Sequence, residues 1–130
     1  MSTYLNCEEE KKVKLTNDEL AMLILHMSIM RKEIKKALKR KYGLFEGKKK
    51  MNVYDSILDK ITSFNEKKTL HDIALDDDEL SMLHAFLSSY TVEIERQAQR
   101  ENMNVENSEV FQLLSHILSK VEGMQIAKMC

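Results

Sequence analysis

Four histidines, two cysteines and a run of acidic residues are the side chains of this sequence that could do chemistry. A di-iron or di-manganese site between helices needs Glu-x-x-His pairs, and none of the four histidines has an acidic residue three positions before it. The run Asp76–Glu79 lacks the alternating spacing, the central glycine and the terminal glutamate of a calcium-binding EF-hand loop. We therefore predict no metal site and no cofactor.

Nucleophilic catalysis is not indicated either. Cys7 and Cys130 lie near the two ends of the sequence, outside every apolar pattern, with no local signature of an activated thiol. We interpret them as two reduced thiols without a structural disulfide. His26 stands in an apolar stretch and is predicted to be a partly buried or interface histidine. The sequence thus predicts a protein that is not an enzyme and has no small-molecule substrate.

The composition favours one helical domain. A chain of 130 residues can bury a single core, and the absence of proline with only three glycines leaves long windows for helix. The 20 basic and 21 acidic residues give no overall attraction to nucleic acid or membrane. Without a signal-peptide pattern or an apolar run near the roughly 20 residues that cross a bilayer, a cytoplasmic location and no membrane partner are expected.

An internal repeat organises the helices. Residues 15–41 align with residues 75–101 at a constant offset of 60, with ten identical positions of 27. Both copies begin with a capping box, formed by Thr16 with Glu19 and by Asp76 with Glu79. The first helix is predicted to end near Tyr42, because Gly43 favours a left-handed stop.

Two further helices complete the repeat. The second is predicted to follow a loop through Lys48–Lys50 and to be capped by Asn52, and the fourth to start near Asn107 or Ser108. Their apolar faces align at an offset of 57. We predict an all-α fold, a four-helix bundle with pseudo-twofold symmetry built from two duplicated helical hairpins. Residues 1–14 form a flexible lead-in; residues 15–130 form one domain, with repeats at 15–65 and 75–130 and a connector at 66–74.

Charge is divided unevenly along this nearly neutral chain. Residues 31–50 carry a net charge of +8 and residues 69–130 a net charge of −7. In an up-down bundle the basic end of the first helix would share a pole with the starts of the second and fourth helices, whose dipoles also attract anions. This pole either contacts nucleic acid or an acidic partner, or is a solvated helix face. Its basic residues are Arg31, Lys32, Lys35, Lys36, Lys39, Arg40, Lys41, Lys48, Lys49 and Lys50.

The first helix also has more apolar residues than one core face requires. Met22, Leu25 and Ile29 form an additional stripe, where the second repeat has Met82, Ala85 and Ser89. Either this stripe binds a partner, foreign or a second copy in a homodimer, or the first helix is the most buried of the bundle. Our leading hypothesis is a regulatory or adaptor protein that binds another protein through the first hairpin. The alternative is a nucleic-acid-binding module that uses the basic pole.

Overall fold

The computed structural model describes residues 11–63, 67–104 and 108–127. Its elements follow in the order β1 (Lys11–Thr16), α1 (Asn17–Thr62), β2 (Leu70–Leu75), α2 (Asp77–Arg100) and α3 (Glu109–Ala127). The fold is therefore mostly helical, as the composition predicts, with a small sheet that the sequence analysis did not predict.

The sheet consists of β1 and β2, paired antiparallel with Val13 opposite Ile73. Side chains alternate between the faces of a strand, so Val13 and Leu15 of β1 are buried on the same face as Ile73 and Leu75 of β2. Residues 11–14, assigned to the lead-in, and residues 70–74, assigned to the connector, belong to these strands. With so few buried residues in each strand, the alternation is a weak signal. Residues 1–10 of the lead-in lie outside the described residues.

The predicted helix starts are confirmed. Thr16 Oγ1 accepts from Glu19 N at 3.2 Å, and Glu19 Oε1 accepts from Thr16 N at 2.9 Å. Asp76 and Glu79 form the same reciprocal pair at the start of α2. Because Thr16 is the last residue of β1 and Asp76 directly follows β2, the two boxes fix where the long helices leave the sheet.

Helix α1 is interrupted at Gly43, whose φ is 85°, and this confirms the predicted end near Tyr42. We call residues 17–42 the first arm and residues 44–62 the second arm. The second arm folds back along the first, since Tyr54 Oη donates to the carbonyl of Met27. Nearer the turn the arms almost touch: a Cβ on Gly47 would lie 2.9 Å from the Cα of Lys39.

The predicted start of the second helix is wrong, and the predicted start of the fourth helix is confirmed. The chain resumes helical structure directly after Gly43, so the predicted loop at Lys48–Lys50 and the predicted cap at Asn52 are wrong. Gly47 lies within helical structure, and its lack of a side chain allows the close approach of the two arms. For α3, Ser108 Oγ accepts from Phe111 N at 3.2 Å, which confirms a start at Ser108; Asn107 lies outside the described residues.

Burial recurs along the chain at the offset of the sequence repeat. Residues 17–40 and 77–100 have the same degree of burial at all but three of the 24 paired positions. The second arm and α3 also match at 60, because buried Tyr54, Ile57 and Ile61 correspond to buried Leu114, Ile117 and Val121. The offset of 57 predicted for this pair is wrong. A shift of three residues is close to one helical turn, so both alignments pair apolar residues with apolar residues.

The core lies between the inner face of the sheet and the helices. It includes the first three turns of the first arm and of α2, the second arm from Met51 to Ile61, and the inner face of α3. Its fully buried large side chains include Leu15, Leu20, Leu23, Met27, Tyr54, Ile57, Ile61, Leu75, Leu80, Leu83, Leu87, Leu114 and Ile117. The far halves of the first arm and of α2 extend beyond this core with their apolar residues only half buried.

Candidate functional site

Two buried carboxylates, Glu19 and Glu79, are the most chemically distinctive groups of the described residues. Their side chains are 1% and 3% exposed. Lys120 Nζ of α3 donates to Glu19 Oε1 at 2.6 Å, and Lys60 Nζ of the second arm donates to Glu79 Oε1 at 2.6 Å. Each lysine also donates to a carbonyl of the neighbouring strand, Lys120 to Lys14 and Lys60 to Ala74.

Burial alone would raise the pKa of Glu19. The hydrogen bond from Lys120, the bond from the Thr16 amide and the positive charge of Lys120 outweigh burial and hold the pKa of Glu19 below its usual range. The pKa of Glu79 is lowered in the same way, against its burial, by bonds from Lys60, Ser56 and the Asp76 amide. Both groups are therefore ionised, and their charge stabilises the helix starts.

The second oxygens of these carboxylates have different neighbours. Ser56 Oγ donates to Glu79 Oε2 at 2.7 Å. His116 takes the place of Ser56 in the other copy, where its Nδ1 lies 2.9 Å from Glu19 Oε2 but is not aligned for a hydrogen bond. The lysine at each site is engaged by its carboxylate and by a strand carbonyl. These contacts join the start of the first arm to α3 and the start of α2 to the second arm.

His26 is half buried, as predicted, and its Nδ1 lies 2.7 Å from Tyr90 Oη. Burial lowers the pKa of His26 and raises the pKa of Tyr90, so both rings are neutral near pH 7. The pair joins the first arm to α2 close to where Phe86 stacks on Tyr90, at 5.3 Å between ring centroids. Within the described ranges, no group of three or more acidic, histidine or cysteine side chains could hold a metal ion.

The predicted apolar stripe of the first arm is largely in solvent. Leu25 is 51% exposed and Ile29 is 59% exposed. Met22 is half buried and packs against the core, so it borders the stripe. The corresponding positions of α2 carry Ala85 and Ser89. The stripe is therefore surplus apolar surface and not core, and the interpretation of the first arm as the most buried helix is wrong.

The structure separates the predicted basic residues into two groups. Arg31 is engaged by Asp55, to which Nε and Nη2 each donate at 2.8 Å, so it braces the two arms. Lys50 is half buried, and its ammonium lies over the ring of Tyr42. The remaining side chains are exposed: Lys32, Lys35, Lys36, Lys39, Arg40, Lys41, Lys48 and Lys49.

An apolar groove of about 810 Å³ lies between the far half of the first arm and α2. It is lined by residues at matching positions of the repeat, Met30 with Tyr90 and Ile34 with Ile94, and neither Leu25 nor Ile29 lines it. Met30, Ile34, Tyr90 and Ile94 are each only half buried. Periodicity identifies the inward face of a helix, but it does not say how far two crossing helices diverge.

The reciprocal pairs of Lys120 with Glu19 and of Lys60 with Glu79 were not predicted from the sequence. The sequence contains a signal for these pairs, because Lys60 and Lys120 are 60 residues apart. The alignment at an offset of 57 did not place these two lysines at matching positions. In the parts of the chain that the structure describes, no helix is long and apolar enough to span a membrane. Comparisons with protein-family models, with curated proteins and with solved structures find no match to this chain.

Proposed function

We propose that this protein is a non-enzymatic regulatory or adaptor protein that binds another protein through its first hairpin, residues 17–62. One observation carries the proposal: Leu25 and Ile29, one helical turn apart on the first arm, are both more than half exposed. The matching positions of α2 are Ala85 and Ser89, so the bundle does not need large apolar residues there.

Such a stripe is suited to be the centre of a binding interface. Apolar surface removed from water contributes about 25 cal/mol per Å², and binding energy is concentrated in a few central apolar residues surrounded by a polar rim. Beyond Ile29, the same arm continues into exposed Lys32, Lys35 and Lys36. Charge next to the contact raises the rate of association and selects an acidic partner, while the apolar residues hold the complex.

We also propose that the chain is a four-helix bundle of two duplicated hairpins. Its support is the recurrence of burial at an offset of 60 and the reciprocal pairs of Lys60 with Glu79 and Lys120 with Glu19. In this arrangement the second copy completes the fold, and the first copy carries the additional apolar and basic side chains.

The substitution Leu25→Glu tests the binding surface. We expect it to abolish capture of a stoichiometric protein partner from a native-host lysate treated with nuclease, because a charge replaces the apolar centre of the interface. Helicity and cooperative melting should be unchanged, since the side chain lies in solvent. Ala85→Glu, at the matching position of α2, is the control and should capture the partner as the wild type does.

Three results would contradict this proposal. Loss of fold in Leu25→Glu would assign the residue to the core. Loss of capture in Ala85→Glu alone would move the binding surface to the groove, which Ala85 lines. A wild-type dimer that Leu25→Glu converts to a monomer, without any foreign partner, would show that the stripe joins two copies of this chain.

A second function, nucleic-acid binding, is supported by the exposed cations that both arms bring to the pole near Gly43. Lys39 and Lys48 line one shallow basic groove of about 310 Å³ between the arms. Here we expect an affinity for DNA or RNA that falls steeply with salt, and that falls further in the double variant Lys36→Glu with Lys39→Glu. Fluorescence anisotropy with a labelled oligonucleotide measures both effects. An affinity that changes neither with salt concentration nor with the two substitutions would contradict nucleic-acid binding through these lysines.

A further inference from the structure

The turn between the two arms carries two large apolar side chains directly into solvent. Leu44 is 72% exposed and Phe45 is 83% exposed, the highest values among the large apolar residues that the structure describes. The positive φ of Gly43 turns the chain there, and the contact of Gly47 with the Lys39 backbone keeps the arms together. At this end of the hairpin, which we call the tip, Leu44 and Phe45 lie largely in solvent, and Leu44 also borders the basic groove between the arms.

A collar of cations surrounds this tip. Residues 39–50 contain six basic residues and one acidic residue. The ammonium groups of Lys41, from the first arm, and Lys50, from the second, each lie 5.3 Å from the centre of the Tyr42 ring. The acidic residue, Glu46, is paired with Lys49 at 3.5 Å. The tip is thus apolar at its end and positively charged around its base.

We propose that this tip docks on the surface of an anionic lipid bilayer, with Leu44 and Phe45 inserted among the headgroups and the collar on the lipid phosphates. Peripheral proteins bind such surfaces by combining buried apolar area with clusters of four to eight basic residues. The charge of the collar is complementary to the anionic surface, and the two apolar residues supply the insertion that charge alone does not. This surface is separate from Leu25 and Ile29, so it does not depend on the proposed protein binding.

The side chains of the tip favour a bilayer over a nucleic acid. Single-stranded nucleic acid is held in a charged groove by aromatic side chains that stack on bases. Leu44 has no aromatic face, and Phe45 does not line the basic groove between the arms. A fluid bilayer interface accepts exposed apolar side chains without a matching cavity.

Vesicle sedimentation tests the proposal with the full chain. The protein should sediment with vesicles of phosphatidylcholine mixed with phosphatidylglycerol and much less with phosphatidylcholine alone. The double variant Leu44→Ser with Phe45→Ser should bind the anionic vesicles at least about tenfold more weakly, because two inserted apolar groups are lost. Met103→Ser, a change of another exposed apolar residue, should bind as the wild type does.

A fluorescent variant reports insertion directly. The sequence has no tryptophan, so Phe45→Trp provides a single probe at the tip, and its emission should shift to the blue when anionic vesicles are added. An absent shift, an equal affinity of the wild type and the Ser double variant for anionic vesicles, or no vesicle binding at all would overturn the proposal. So would a double variant that loses binding to a single-stranded oligonucleotide and keeps its binding to vesicles.

Discussion

Replacing Lys120 with methionine is expected to lower the free energy of unfolding by about 3 kcal/mol. Glu19 is almost fully buried and accepts from Lys120 Nζ at 2.6 Å. Without that ammonium the carboxylate remains buried and charged, with the Thr16 amide as its remaining hydrogen-bond donor to Oε1. Urea unfolding followed by circular dichroism measures the change.

The matching change in the other copy, Lys60→Met, should lower the free energy of unfolding by less than Lys120→Met does. Glu79 still accepts from Ser56 Oγ at 2.7 Å on its second oxygen, whereas Glu19 Oε2 accepts no hydrogen bond from the residues that the structure describes. Lys36→Met is the control, since the Lys36 pair with Glu33 spans 4.0 Å at the surface and should contribute little. Equal and small effects of all three substitutions would show that the buried pairs do not stabilise the fold.

The pH dependence of the same variants has a definite sign. The pKa values of Glu19 and Glu79 are lowered in the folded protein, so their contribution to stability is fully present above the unfolded value of about 4.3. It is lost as the pH falls through the lower folded pKa, because the unfolded chain binds protons first. Lys120→Met should therefore lose less stability on acidification than the wild type does.

Tyr54→Ala should lower the free energy of unfolding by about 4 kcal/mol. The ring is fully buried, lies edge-on to Phe86 with 5.8 Å between centroids, and forms part of the floor of the apolar groove. Its removal leaves a cavity where the second arm meets the first arm and α2. Thermal and urea unfolding of the variant measure the loss.

Tyr54→Phe separates the ring from the hydroxyl. Tyr54 Oη donates to the Met27 carbonyl at 2.6 Å, and loss of that single bond should cost about 1 kcal/mol. Tyr42→Ala, at the exposed turn, is the control for a tyrosine outside the core. A Tyr54→Ala variant as stable as Tyr42→Ala would place the centre of the core elsewhere.

Local signals in this sequence predicted the two capped helix starts and the interruption at Gly43. The boxes of Thr16 with Glu19 and Asp76 with Glu79 depend on residues three positions apart, and Gly43 stops a helix by its own backbone preference. The strands were not predicted, because six residues with two buried side chains in β1 and three in β2 give little periodicity. Their stability comes from pairing across 60 residues, which no local pattern records.

The candidate surfaces were predicted only in part. The sequence identified Leu25 and Ile29 as surplus apolar residues, but their exposure depends on which face of the first arm the rest of the bundle covers. Arg31 was predicted to belong to the basic pole, but the fold places Asp55 beside it. The groove depends on the divergence of two helices, and the exposed tip depends on how closely Gly47 lets the arms approach. The divergence of the helices and the approach of the arms are both properties of tertiary packing.

The pairing of β1 with β2 has a consequence for synthesis on the ribosome. The first arm and second arm touch through nearby residues such as Met27 with Tyr54, so this hairpin can form as soon as it is made. Strand β1 cannot complete its pairing until residue 75 has been made. Glu19 cannot bind Lys120 until the chain is 101 residues longer. A nascent chain that ends before α3 therefore holds a hairpin whose Glu19 carboxylate lacks the Lys120 ammonium, and this pair forms only when the last helix has been made.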